Sequence, residues 1–104
     1  MKISTKGKYY GLKHVELALE KIVLSQYDYN IETTPWHYHE NPYFKFVLHG
    51  KMLDCTKKKK SLLPTGSLMF NNWQEQHYGF RHSSKAAGFH VEFERSWFKK
   101  HGID

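Results

Sequence analysis

An all-β sandwich or barrel is the fold this sequence predicts, on three observations. Short β-like segments recur with turn signals roughly every 8–12 residues. Apolar and polar residues alternate with period two in several of them. A capped helix start is found only near the last residues, where Ser96 is placed to cap a helix starting at Trp97. Many short strands with a single terminal helix bury their apolar faces as packed sheets or as a closed barrel.

Taken in order, "HVELALEKIVL" fits both periods: Val15, Leu17 and Leu19 suit a strand, while Val15, Leu19, Ile22 and Val23 suit a helix. The strand is preferred because the segments downstream of it read as strands. Tyr27, Tyr29 and Ile31 alternate with Gln26, Asp28 and Asn30, the mark of a half-buried strand. Asn41-Pro42 marks a turn. Beyond it, one face of the next strand carries Phe44, Phe46 and Leu48 and the other Tyr43, Lys45 and Val47. Burying phenylalanine is favourable by area, whereas burying an unpaired lysine costs as much or more. The phenylalanine face is therefore expected in the core, with a hairpin closing at Gly50. "KMLDCT" and "SLLP" return as strands, with a turn at Pro64-Thr65-Gly66. "SLMFN" and "HYGFRH" lie on either side of the loop "NWQEQ". The last strand alternates Phe89, Val91 and Phe93 with His90, Glu92 and Glu94.

The 104 residues are expected to form one domain, residues 1–104, burying roughly two-thirds of the unfolded surface. Aromatic residues make up 16% of the chain against 39% hydrophobic overall, so rings should supply much of the core. Sixteen Lys and Arg against ten Asp and Glu leave a net charge of +6. Part of that excess is the run Lys57–Lys60, which reads as a solvated hairpin turn, since clustered lysines alone carry no groove-reading geometry. Cys55 is the single cysteine, which excludes an intrachain disulfide and suits a reducing, cytoplasmic setting. The sequence has no signal-peptide core and no apolar run of membrane-spanning length, so no membrane partner is expected. It also lacks a Ser-His-Asp arrangement, a phosphate-cradling glycine loop and a base-reading helix pair.

The densest chemistry lies in "TPWHYHENPYFKFVLHGK", residues 33–50. His37 and His39 stand one residue apart, so on a strand both rings point to one face. Such a pair suits a divalent ion or a polar ligand. The bland alternative is a hydrogen-bonded cluster that keeps strands in register. Trp36, Tyr38 and Trp73 could line a mouth or merely cap the barrel. The other five histidines, His14, His49, His82, His90 and His101, lack a partner at useful spacing and are read as surface residues.

From Pro35 to His77 the chain resembles the two-part cupin pattern. His37, His39 and Gly50 match the first part, with Tyr43 where the pattern has a glutamate; Gly66 and His77 match the second, with Asn72, Gln74 and Arg81 at its Pro, Gly and Asn positions. The resemblance implies a cupin-like double-stranded β-helix, a jelly-roll half-barrel. It also implies that His37, His39 and His77 come together where cupins hold metal, without the carboxylate ligand.

A narrower resemblance, over about residues 30–98, is to the N-terminal effector domain of AraC-type transcription regulators. It is carried by "PWHYHENPYFKFVLHGK", "LLPTGSLMFNNWQEQHYG" and "FHVEFERSW". It implies a sensory, non-enzymatic domain with a pocket for a small-molecule effector at His37, His39, Tyr43, His77, Trp36 and Trp73. It further implies a homodimer, and DNA contact only through a helix-turn-helix region that has no counterpart in this chain. No cofactor is expected on this reading. The alternative is a stand-alone cupin metalloprotein, isomerase- or dioxygenase-like, with zinc or a similar ion on His37, His39 and His77.

Overall fold

The computed structural model describes residues 2–29, 33–73, 75–81 and 85–101. Among them the strands are β1 (Lys2–Ser4), β2 (Leu12–Ala18), β3 (Ile22–Asp28), β4 (His37–His39), β5 (Tyr43–His49), β6 (Met52–Cys55), β7 (Lys60–Leu63), β8 (Leu68–Asn71), β9 (Tyr78–Arg81) and β10 (Ala87–Phe93), followed by the helix α1 (Arg95–Lys100). A five-stranded sheet runs β2-β3-β10-β5-β8, a three-stranded sheet runs β7-β6-β9, and β1 pairs in parallel with β4. The ambiguous segment near residue 15 resolves into two antiparallel strands, β2 and β3, closed by Leu19 N–H donating to the Ile22 carbonyl. The lysine run is the tip of the β6–β7 hairpin, where the Thr56 hydroxyl accepts from the Lys58 and Lys59 amides. Both outcomes match expectation.

The core joins the two larger sheets through Tyr27, Tyr29, Val47, Met52, Leu63 and Ala86. Its buried aromatic residues are tyrosines, namely Tyr27, Tyr29 and Tyr43; no phenylalanine side chain among the described residues is fully buried. That reverses the expectation for β5. Tyr43, Lys45 and Val47 point inward, while Phe46 and Leu48 are exposed and Phe44 is half-buried. A partner eases the penalty expected of an unpaired charge: Asp54, from β6 of the opposite sheet, lies 3.9 Å from Lys45 Nζ, although burial outweighs this attraction and lowers the lysine pKa.

The same inversion holds on the neighbouring strand. Register places Glu92 opposite Tyr43 and His90 opposite Lys45, so β10 also turns its polar side inward. His90 is thus buried, against the expectation of a surface histidine, while His14, His49 and His101 are exposed as expected. Gly50 does not close a hairpin, because β5 and β6 belong to different sheets. It sits at the corner between them with φ of 83°, a conformation that favours glycine. Helix α1 begins at Arg95, so Ser96 lies inside it and accepts a hydrogen bond from Lys21 Nζ instead of capping. Ile31, Gln74 and His82 lie outside the described residues.

Candidate metal centre

Two short elements bring three histidines together. On β4, period two turns His37 and His39 inward, and both are buried. His77 joins them just before β9, through an isolated bridge in which His37 and His77 exchange backbone hydrogen bonds of 2.9 Å each way. The ring centroids lie 4.4 Å apart for His37 and His77, 5.0 Å for His37 and His39, and 5.3 Å for His39 and His77. One ring nitrogen from each residue falls within 4.8 Å of the others. The expected cluster forms.

Hydrogen bonds fix two of the tautomers. His37 Nδ1 lies 2.8 Å from the Pro35 carbonyl, which can only accept, so Nδ1 carries the proton and Nε2 presents a lone pair. His77 Nδ1 donates likewise to Asp54 Oδ1 at 2.8 Å, leaving His77 Nε2 bare. That nitrogen is buried without a hydrogen-bond partner, as is His39 Nδ1. His37 Nε2 and His39 Nε2 stand 3.2 Å apart. Two imidazole nitrogens on one tetrahedral zinc ion would be separated by about 3.3 Å, given bonds of roughly 2.0–2.1 Å. An ion on the Nε2 side would satisfy His77 Nε2, which a cluster serving only to hold strands in register leaves buried without a partner. The donor set therefore fits a divalent transition ion.

Electrostatics favour the ligand-competent forms. Burial lowers the His37 pKa to about 4, against a weaker opposing effect of its bond to Pro35. Burial, then the neighbouring histidines, pushes His39 far below its usual range. Both rings are neutral near pH 7 and can act as ligands without first losing a proton. Burial pushes the Asp54 carboxyl up, but the His77 hydrogen bond and the Lys45 ammonium outweigh it and hold the pKa below the ordinary carboxylate value. Asp54 is thus an anion that orients His77 from behind, the usual role of a carboxylate behind a histidine ligand.

Tyr43, in the place of the glutamate, lies beside His39 with ring centroids 4.6 Å apart, and burial raises its pKa well above the usual phenol value. It is a neutral wall, not a charged ligand. Together with Tyr9, Tyr10, Tyr29, Lys45, Asp54 and His90 it lines a cavity of about 50 Å³ against the three histidines. Trp36 and Trp73 do not join this group. Trp36 is on the surface, edge-on to Tyr78, and Trp73 lies under the Arg95 guanidinium in a separate outer cleft with Tyr38.

Three buried polar residues escaped the sequence analysis as site components, Asp54, His90 and Glu92, while Lys45 is weighed there and set aside in favour of the phenylalanine face. His90 stacks on Tyr9 with centroids 3.7 Å apart, and its Nε2 pairs with Tyr29 Oη at 2.8 Å. Glu92 accepts from the Gly7 amide, Tyr9 Oη and Asn41 Nδ2. A signal was present in "GFHVEF": Gly88, His90 and Glu92 share one face by period two. Which face turned inward was not legible.

No protein-family model matches this chain, and no curated protein sequence matches it significantly. Solved structures do. A cupin-2 domain protein from Shewanella frigidimarina superposes over 84% of each chain at 12% identity, with a TM-score of 0.69. A cupin superfamily protein from Desulfitobacterium hafniense covers 80% of this chain and 76% of its own, at 10% identity and a TM-score of 0.70. The fold is the cupin fold. The iron(II) form of HppE is similar over 70% of this chain and 43% of its own, at 25% identity and a TM-score of 0.58.

Proposed function

We propose that this chain is a cupin metalloprotein domain in which His37, His39 and His77 hold one divalent first-row ion, such as zinc or iron(II). The observation that carries the reading is the convergence of three buried imidazoles, two with Nδ1 committed to an oxygen acceptor and one of those with Nε2 left unsatisfied. Imidazole donors suit these ions, and the iron(II) of a similar cupin structure supports the choice. Once bound, such an ion supplies Lewis acidity with coordination positions open to water or an oxygen ligand. The chain's own contribution is to orient His77 through Asp54, to keep His37 and His39 neutral, and to enclose the position in tyrosine walls.

The test is elemental analysis after expression with supplemented metal and exhaustive dialysis. One equivalent per chain, lost in His77→Ala and in His37→Ala with the fold retained by circular dichroism, is the expected result. Trace metal that is indifferent to both substitutions would refute the reading.

A second reading, the sensory domain of an AraC-type regulator, is favoured by one feature. Strand β10 runs straight into helix α1, with Trp97 packed on Phe93 at 4.8 Å, where that family's pattern places the start of its linker. In that reading the effector occupies the same cavity, the domain dimerises, and the outer face carrying Phe46, Leu48 and Leu68 is where a second copy packs. The two readings part on turnover: a sensor binds without converting.

A further inference from the structure

The cavity beside the three histidines has an unusual charge inventory. A divalent ion there would meet three neutral imidazoles and, among the described residues, no carboxylate ligand. Behind them, the Lys45 ammonium offsets the Asp54 carboxylate. Glu92, the other buried carboxylate among the described residues, is taken up by the Gly7, Tyr9 and Asn41 donors. Those neutral donors leave the Glu92 charge in place, so a divalent ion, Lys45, Asp54 and Glu92 together would carry one positive charge in excess, which a single anion cancels.

Lys45 is the residue placed to receive that anion. It lines the same cavity as the histidines and is 5% exposed. Its ion pair is long, at 3.9 Å, and the oxygen involved, Asp54 Oδ1, already accepts the His77 proton at 2.8 Å. An ammonium carries three donors, and this pairing leaves it under-satisfied. Tyr10 adds a second donor to the same wall: its ring lies edge-on to His37 and its hydroxyl is buried without a partner. A cavity of about 50 Å³ limits the size of the guest. At roughly 10–15 Å³ per water-sized group, it admits about four non-hydrogen atoms.

Resting on the three-histidine reading, we infer that the ligand of this site is a small oxyanion, carboxylate-sized at the end that enters, held between the metal ion and the Lys45 ammonium with Tyr10 as a further donor. An ammonium is a point charge with rotatable donors, so it recognises charge more than shape. The site is therefore selective for an anion over its neutral isostere.

Cobalt(II) serves as a spectroscopic probe, with acetate and acetamide as an ionic and a neutral ligand of equal size. The cobalt-loaded protein is titrated with each, following the visible cobalt absorption. Acetate should perturb the spectrum saturably and acetamide should not, at least tenfold apart in apparent affinity. Lys45→Met should keep its cobalt and bind acetate at least tenfold more weakly, and Lys45→Arg should recover much of that loss. Equal effects of acetate and acetamide on the unmodified protein would overturn the inference, whatever the variants do. So would a Lys45→Met protein that binds acetate like the wild type. Failure to take up cobalt is a different result: it refutes the three-histidine reading itself, and this inference with it.

Discussion

The two faces of the five-stranded sheet are built from opposite chemistry, and in the order opposite to habit. The inner face carries Ser25, Tyr27, Tyr43, Lys45, Asn71, His90 and Glu92, all buried. The outer face carries Phe46, Leu48, Leu68 and Phe70, all exposed, with Phe44, Phe89, Val91 and Phe93 half-buried. A face as polar as the inner one is stable only where each charge meets a partner, because an unpaired buried charge is prohibitive. Here the partners come from elsewhere: Asp54 from the other sheet for Lys45, and the Gly7 amide, Tyr9 and Asn41 for Glu92. Hydrophobic alternation therefore marks a strand but does not say which side is inside when the interior is a site.

Four experiments press on that contrast. The largest effect should be acid destabilisation of the metal-free protein. Burial depresses the pKa of His37 to about 4 and drives those of His39 and His90 well down, so the unfolded chain binds more protons than the folded one below its own pKa near 6.5. Stability should be fully present above about pH 6.5 and fall as pH drops toward 4, by up to about 1.4 kcal/mol per pH unit for each such histidine. Chemical denaturation at a series of pH values with chelator present measures it. A flat profile between pH 6.5 and 4.5 would mean that the interior is wet and these histidines titrate freely.

Next comes Glu92→Ala, which strips the acceptor from three buried donors and should cost about 3–5 kcal/mol. Denaturant melts of the variant check this; a loss under 1 kcal/mol would show that water replaces the carboxylate. Gly88→Ala should cost about 1–3 kcal/mol, because a Cβ there would overlap the Tyr29 hydroxyl, and Tyr29 would have to leave His90 or the backbone to shift. Thermal melts read the loss, and an unchanged midpoint would mean that Tyr29 moves freely.

The smallest effect should be on the outer face. Phe46→Ser at a position already 39% exposed should change monomer stability by less than about 1 kcal/mol. If two copies pack through this face, the same substitution should instead lower self-association at micromolar concentration, read by sedimentation. Full insensitivity in both measurements would confine the chain's specific chemistry to its interior.

Much of this protein could be read from its residues in order. Period two and turn residues were enough for the all-β class, for most strand positions and for the lysine-rich hairpin tip. The spacing of His37 and His39 implied a shared face because side-chain direction along a strand is a local property. The distance from Gly66 to His77 completed the trio only by resemblance, since nothing local says that residue 77 meets residue 37. The tertiary structure alone decided the rest. Lys45 and Phe46 are neighbours whose exchange of sides reverses the character of a whole sheet, and the choice between them turned on Asp54 across the sandwich. His90 looked solitary because its partners, Tyr9 and Tyr29, lie far away in sequence. Burial of a charge is an energy difference set by what stands opposite, and what stands opposite is fixed only when the sheets close on each other.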